Sequence, residues 1–514
     1  MRRKNGEKGQ PAGGLGQPPE LQAEQVLNPF RNDSQFEGVY EFLKTLVLLP
    51  VALLRGVLFV TALLLAYCLT KIALLGAKNV LTKPFPKWRR GLLLPVRFCS
   101  RIMLFACGYH WIHVKGKPAP RDEAPILVSN HVSFTDPLFT FFRHLPVIVT
   151  AHENLSIPVA GAIMLSMQVI AVHRDSPDSR HNALGAIKRK AMCNDWSHVM
   201  IFPEATTTNG KALVSFKVGA FTPGYAVQPM LMRYPHVNID PSWVAEGPVI
   251  HWLLFRLMTQ FHNFMSVEYL PVIHPTQAEQ KNPQAFAERV RVTMAQALNI
   301  SVTRHTYEDA ALVMEAVKLK LDSKAAILEF GKFEKLYQLQ VKILKHWLHK
   351  FLAMDPTKRG IVTYQDFIST LDLPDCALLG QVFSYFDRSD QGSINFSQYV
   401  AGVAFIAKHK KFKEAIEATF KFCGGDGDGL LDKTEARSSF REVIPSITNQ
   451  QIHVLFDKMD AKKAGIISRG DFAHFIEGNP EYLLIFLIAK PDLLGRSKLE
   501  FDKDFLDVDR KLTD

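Results

Sequence analysis

The chain has 514 residues, 47% of them apolar and 22% charged, and its 61 Lys and Arg outnumber 50 Asp and Glu to leave a formal net charge of +11. That length exceeds one ordinary domain, and the apolar share is enough for a large core. No stretch resembles a nucleic-acid-binding module, so nucleic acid is excluded as a partner and the positive charge is read as membrane contact.

In chain order, residues 1–40 come first. They are rich in Gly, Pro, Gln and charge up to about Asn32 and predict a disordered tail without a secretory signal. An apolar run from Leu46 to Leu69 follows, interrupted by Pro50, Arg55 and Gly56. As a helix it is roughly 36 Å long, against a hydrocarbon core of about 30 Å. Arg55 near its middle is unfavourable in lipid unless it snorkels or pairs, and a bent re-entrant hairpin would relieve it. A second apolar stretch, Gly91 to Trp111, carries Arg97 and Arg101 on one helical face and suits an interfacial helix. Between the two lie Lys71, Lys78, Lys83, Lys87, Arg89 and Arg90, a cluster that attracts anionic headgroups and fits a cytosolic face. Residues 41–111 are therefore assigned as a membrane anchor with interfacial helices. The six cysteines have neither metal nor disulfide spacing and read as reduced.

Residues 112–307 read as an α/β domain. Ala124 to Ser129 is an apolar, β-branched run that predicts a buried strand ending at Asn130 and His131. His198 to Phe202 repeats the pattern and delivers Pro203, Glu204 and Thr206 into a loop. Open α/β sheets place their chemistry at such carboxyl ends. Acyl transfer to an alcohol needs a base near the hydroxyl, a group that orients that base, and fixed donors where negative charge sits. His131 supplies the base and Asp136 the orienting carboxylate, and no enzyme nucleophile is required. Each residue also has a structural role open to it: Asp136 or Glu204 as a helix cap, Arg174 as an ion-pair partner of Asp175 or Asp178, Pro203 and Pro229 as loop punctuation.

In order and spacing, these segments resemble the four motifs of the glycerolipid acyltransferase superfamily. The first matches at Asn130, His131 and Asp136, the second at Arg174, the third at Phe202-Pro203-Glu204-Ala205-Thr206 and the fourth at Val227-Gln228-Pro229. The resemblance implies His131 as base with Asp136 as partner. It implies that Arg174, Glu204 and Thr206 bind the acceptor's glycerol phosphate, that Asn130 is a further substrate-binding residue, and that Pro229 shapes the acyl pocket. A carboxylate repels phosphate, so Glu204 is expected to accept from the glycerol or to hold Arg174. Acyl-CoA is the implied co-substrate, with no bound organic cofactor.

The longer string Phe202 to Asn209, with Ser215 to Phe221, is similar to the EF-hand-containing lysophosphatidylcholine acyltransferases of types 2 and 2B, a resemblance that covers nearly the whole chain. It implies lysophosphatidylcholine, or lyso platelet-activating factor with acetyl-CoA, as substrate. It implies the endoplasmic reticulum membrane, or Golgi or lipid droplet, as location, with cytosolic catalytic and EF-hand domains. No residue pattern names a protein partner. Two departures stand out. Ala205 replaces the family's usual glycine, so a turn built for φ > 0 is expected to be strained or reshaped. Gly210 replaces an arginine and removes a phosphate fork. These departures motivate an alternative, a catalytically impaired, calcium-responsive membrane adaptor.

Residues 308–350 read as a helical linker, 351–480 as EF-hand repeats and 481–514 as a tail. Gly360, Gly392, Gly429 and Gly465 recur at intervals of 32, 37 and 36 residues, each followed two positions later by Val, Ile or Leu. That is the EF-hand period, with glycine at loop position 6 and a tiny strand at position 8. The second loop offers Asp387, Ser389, Gln391, Ser393, Asn395 and the neutral Gln398 at position 12. The third offers Asp426, Asp428, Leu430, Asp432 and Glu435, with Gly424 at position 1. Neither set is complete, so calcium binding is expected to be weak or absent. The first and fourth loops, with Arg359, Lys462 and Ala464 at ligand positions, read as structural only. The fold class expected is an α/β acyltransferase domain with an N-terminal membrane anchor, followed by an all-α EF-hand domain.

Overall fold

The computed structural model describes residues 28–34, 36–174, 176–236, 239–320, 337, 339, 341–387, 390–424 and 429–494. Asp175, Ser389, Asp426, Asp428, the first 27 residues of the expected tail, most of the expected linker and residues 495–514 lie outside this set.

Helix α1 (Val39–Leu74) is unbroken for 36 residues although Pro50 lies inside it. Its buried residues, Glu41, Lys44, Leu48, Ala52, Ala62, Ala66, Thr70 and Ala73, form one stripe at helical spacing along the whole length. The stripe packs on the rest of the chain, and Leu46, Leu53, Leu54 and Val57 point outward and are exposed. After a turn, α2 (Lys87–Ala106) packs back along α1, and Ala62, Ala66, Leu93, Val96 and Cys99 share a core with Leu127 and Met200. The predicted anchor is therefore continuous with the domain that follows.

Arg55 is relieved by pairing, not by a hairpin bend. Its Nη1 donates to the carbonyls of Met258 (2.8 Å) and Gln260, and its Nη2 donates to that of Phe261 (3.2 Å) and meets His110 Nε2 at 3.0 Å. These carbonyls close the carboxyl end of α6 (Ile250–Met258), where the helix dipole favours a cation.

The seven-stranded sheet comprises β1 (Ile112–Lys115), β2 (Ile126–Ser129), β3 (Val147–Ala151), β4 (Ile170–Val172), β5 (Val199–Ile201), β7 (Val227–Arg233) and β8 (Met265–Tyr269), in the order β1-β8-β7-β2-β5-β3-β4. A two-stranded parallel pair, β6 (Ala212–Leu213) with β9 (Ser301–Val302), stands apart. Only the β7–β8 pairing in the large sheet is antiparallel, so β7, β2, β5, β3 and β4 all end at one edge. Period-2 alternation places Leu127 in the core under α1 and α2, while Ile126 and Val128 face the opposite core. That opposite core is closed by α5 (Pro177–Met192) and α8 (Pro283–Leu298) through Ala183, Ile187, Phe286 and Val290. Short helices α3 (Asp136–Arg143), α4 (Ala160–Ser166) and α7 (Gln277–Lys281) complete this part.

Three expected boundaries move. Residues 28–34 belong to the folded domain: Phe30 is fully buried beside Val214, Ala310 and Val313, and Asn209 Nδ2 donates to the carbonyls of Asn28 and Arg31 at 2.9 Å each. A buried aromatic ring pins this stretch despite its tail-like composition. Helix α9 (Tyr307–Lys318) opens the expected linker, yet it packs on both sides, with Ala310 and Val313 toward Phe30 and Leu312 and Ala316 in the C-terminal core. The start of the expected tail is the apolar helix Pro480–Ala489, buried from Pro480 to Leu487 in that same core.

The C-terminal part is helical. Helices Val341–Met354 and Tyr364–Leu371, Ala377–Phe386 and Phe396–Lys408, Phe412–Phe422 and Lys433–Val443, and Asn449–Met459 and Arg469–Gly478 flank four loops. Short antiparallel strands join the loops in pairs, with Val362 opposite Ile394 and Leu431 opposite Ile467, the residues expected at position 8.

Candidate active site

β2 delivers Asn130 and His131 to the sheet edge, and α3 starts at Asp136 a few residues later, so the loop folds back on itself. His131 Nδ1 meets Asp136 Oδ2 at 2.7 Å. The same oxygen accepts the backbone N–H groups of Val132 (2.7 Å) and Ser133 (3.0 Å), and the hydroxyl of Tyr234, the residue after β7, donates to Oδ1. Asp136 is fully buried in the first turn of α3, where these donors and the helix dipole hold a carboxylate. The His131 ring is stacked on Phe202 at 4.1 Å and its side chain is 19% exposed. With Nδ1 bound to a carboxylate, Nε2 is the nitrogen left to accept a proton, the arrangement of a general base.

β5 runs beside β2, with Val128 opposite Ile201, so the loop after β5 lies one strand spacing, about 5 Å, from His131. Glu204 in that loop is fully buried. Its Oε1 accepts the backbone N–H of His131 at 2.9 Å, and its Oε2 takes that of Val214 at 3.4 Å. Burial pushes the Glu204 carboxyl up to about 8, against the pull of these two N–H donors. Thr208 N–H donates to the His131 carbonyl at 2.9 Å, so the β5 loop grips the His131 backbone from both sides.

Arg174 follows β4, and its Nη2 donates to the Ala205 carbonyl at 2.9 Å while its guanidinium lies 4.1 Å from the ring centroid of Tyr307. Ala205 takes φ +58°, so the turn keeps its left-handed form with alanine and is strained, not reshaped. Gly210 has φ +71°, and a Cβ there would stand 3.3 Å from Val132 Cγ2.

Known proteins share this arrangement of sequence. The family model described as Acyltransferase matches residues 111–233. The chain is 39% identical over 470 residues to "Lysophospholipid acyltransferase LPEAT2" of Arabidopsis thaliana, covering 91% of this chain and 86% of that protein. It is 35% identical over 469 residues to "Lysophosphatidylcholine acyltransferase 2" of Danio rerio (90% and 88%), and 34% over 468 residues to the Homo sapiens protein of the same name (90% and 85%). The chain belongs to the lysophospholipid acyltransferase family. It is therefore an O-acyltransferase, and the matched residues include the His131 loop, Arg174, the Glu204 loop and Pro229.

Within this acyltransferase the predicted residues divide. His131, Asp136, Arg174, Glu204 and Thr206 all gather at one sheet edge. Asn130 does not present its amide: Nδ2 donates to the Met232 carbonyl (2.9 Å) and Oδ1 accepts Met232 N–H (2.8 Å), which ties β2 to β7. Glu204 holds the His131 backbone, and Arg174 is held by Ala205 and Tyr307 instead of by Glu204. Thr206 is half-buried, its hydroxyl making one long bond of 3.4 Å to the Thr207 carbonyl. Pro229 sits inside β7 opposite Val128, within the sheet and not in a loop. Phe202 was noted only as the start of the third motif, without a role; Tyr234 and Tyr307 were not singled out as site residues, though Tyr234 had a signal, a hydroxyl placed directly after a strand.

Among the described residues, no three His, Cys, Asp or Glu side chains converge as metal ligands. In the helical part, Asn395 and Gln398 cap the helix that leaves their loop, as do Asp432 and Glu435. Gln391 N–H donates to Asp387 Oδ1 at 3.2 Å, and Ser393 pairs through its backbone with Thr363, as Leu430 does with Ser468.

Proposed function

We propose that the protein transfers a fatty acyl group from acyl-CoA to the free hydroxyl of a lysophospholipid at a membrane surface, with lysophosphatidylcholine as the favoured acceptor. The observation that carries this is the His131–Asp136 pair at 2.7 Å, set at the edge where Arg174 and the Glu204 loop also end. His131 takes the hydroxyl proton as the oxygen attacks the thioester carbonyl. Collapse of the tetrahedral intermediate breaks the C–S bond, and the proton passes to sulfur so that CoA leaves as the thiol. Asp136 keeps His131 in the tautomer with Nε2 free and stabilises the imidazolium. Arg174 binds the acceptor phosphate, and Thr206, in the same loop, binds its glycerol. Pro229 lies in the wall of the sheet, and Asn130 and Glu204 support the site from beneath.

The names of the relatives support the acceptor class, and the outward apolar residues of α1 support the membrane. Because α1 is packed on the domain along its whole length, its outer face with Leu94, Phe98, Trp111 and Phe261 is suited to lie in one leaflet. Endoplasmic reticulum membrane with the domain on the cytosolic side is the location we assign. The C-terminal part is assigned as four EF-hands that serve as a scaffold. In support, Asp355, Asp387 and Asp460 accept N–H groups from Gly360 (2.7 Å), Gly392 (2.6 Å) and Gly465 (2.7 Å), the internal bonds of such a loop.

The test is acyl transfer from acyl-CoA to a panel of lysophospholipids by membranes carrying the wild type or H131A. Wild-type turnover above a blank membrane, falling about a hundredfold or more in H131A, is expected. Equal turnover in the two would overturn the assignment of His131.

A further inference from the structure

Arg174 is the residue to which acceptor phosphate binding is assigned above, and an arginine reads a phosphate well only when its planar fork is held in place. Its own position, after the three-residue strand β4 at the edge of the sheet, gives the side chain little support. Two groups from elsewhere supply it. The carbonyl of Ala205, a residue with left-handed backbone at φ +58°, accepts one N–H of the fork at 2.9 Å. The guanidinium carbon stands over the ring of Tyr307, 4.1 Å from its centroid.

Those two contacts use different parts of the group. A cation–π contact draws on the charge of the group and the Ala205 carbonyl takes one of its five N–H donors, so donors remain for phosphate. Tyr307 itself is firmly placed. It opens α9 behind a Thr306–Asp309 capping box, and the flanking backbone is tied down by Ser215 N–H to the His305 carbonyl (2.8 Å) and by a Lys217–Glu308 ion pair (2.7 Å). One turn further, α9 is gripped by two cores, with Ala310 and Val313 beside Phe30 and Leu312 and Ala316 in the C-terminal part. A ring on so constrained a helix can impose an orientation on a flexible side chain.

We propose that Tyr307 is the positioning residue for acceptor phosphate: its ring holds Arg174 with its donor edge open and so sets the affinity for the lysophospholipid without touching the reacting atoms. This rests on the assignment of Arg174 to the acceptor.

The experiment measures KM for lysophosphatidylcholine and for oleoyl-CoA, and kcat, in membranes carrying wild type, Y307F, Y307L, R174A and Y307L/R174A, with protein amount and thermal unfolding as checks on folding. Y307L raises the lysophosphatidylcholine KM about 3- to 30-fold, the range of a partly desolvated cation–π contact, and leaves the oleoyl-CoA KM unchanged. Y307F, which keeps the ring, stays near wild type. The double variant is no worse than R174A. If R174A raises the acceptor KM and Y307L does not, or if Y307L shifts both KM values together, Tyr307 is not the positioning residue. If R174A itself leaves the acceptor KM unmoved, the assignment of Arg174 fails and takes this proposal with it. Should Y307L not fold, Y307Q, which also removes the ring, takes its place.

Discussion

Glu204 Oε1 accepts the backbone N–H of His131 at 2.9 Å, across 73 residues of sequence. An acidic side chain in the third motif is thus engaged with the histidine loop from beneath, and with Thr208 on the other side it fixes where the imidazole can stand. Its burial raises its pKa, and that has a consequence for stability.

Glu204 ionises at about 8 in the folded protein, against 4.5 for the ordinary group. Between those values the folded state holds a proton that the unfolded chain releases, so this residue's contribution to stability falls as pH rises through that window. The full span is at most about 5 kcal/mol. Unfolding of detergent-solubilised wild type and E204Q from pH 4.5 to 8.5 should show wild type losing stability relative to E204Q. Parallel curves would mean that Glu204 is already ionised at low pH.

In the proposed mechanism Asp136 sets the tautomer of His131, and Tyr234 acts on it only through its bond to Asp136. D136N should fold, because an amide can still accept from Val132 and Ser133, while kcat drops about a hundred- to ten-thousand-fold. Y234F removes the hydroxyl's bonds to Asp136 Oδ1 and to Thr135 Oγ1 (3.0 Å) and should cost about tenfold or less in kcat. Equal losses in the two variants would put Tyr234 in the chemistry itself.

Ala205 and Gly210, both at positive φ, behave oppositely. Ala205 keeps φ +58°, so A205G should raise stability by up to about 1 kcal/mol with little change in kcat. At Gly210, also at positive φ, a Cβ would stand 3.3 Å from Val132 Cγ2, so G210R should lower stability by about 1–2 kcal/mol and reduce activity. Thermal unfolding and turnover of both variants decide this, and a gain of activity in G210R would be the contrary result.

Phe30 closes a small core shared with Val214, Ala310 and Val313, next to the Asn209 bonds that fasten residues 28–31 to the β5 loop. F30A should destabilise by about 3 kcal/mol. Removal of residues 1–27 alone should leave turnover intact, whereas removal through residue 34 should abolish it. Activity surviving the longer deletion would show that the strap is dispensable.

Calcium should matter little. With neutral Gln398 at position 12 of the second loop and Gly424 at position 1 of the third, micromolar calcium against chelator should shift the unfolding temperature by no more than about 1 °C. A shift of several degrees would show that the loops bind the ion.

Much of this was open to inspection in the chain alone, and the reason is local. An apolar β-branched run ending at Asn130 and His131, an aspartate five residues beyond that histidine, and glycines recurring at the helix–loop–helix period are properties of short windows, where alternation and turn chemistry act directly on the backbone. Residues 28–34 escape such a window because their polar composition carries no sign that Phe30 fills a distant pocket, whereas the apolar run Tyr482 to Leu487 does signal burial and only its place near the end of the chain suggests a tail. Strand order put β5 beside β2 and so set Glu204 under the His131 amide. Chain packing brought α6 carbonyls to Arg55 and Tyr307 to Arg174. Such contacts join residues that share no local periodicity, and only the burial of whole faces against one another decides which of them meet.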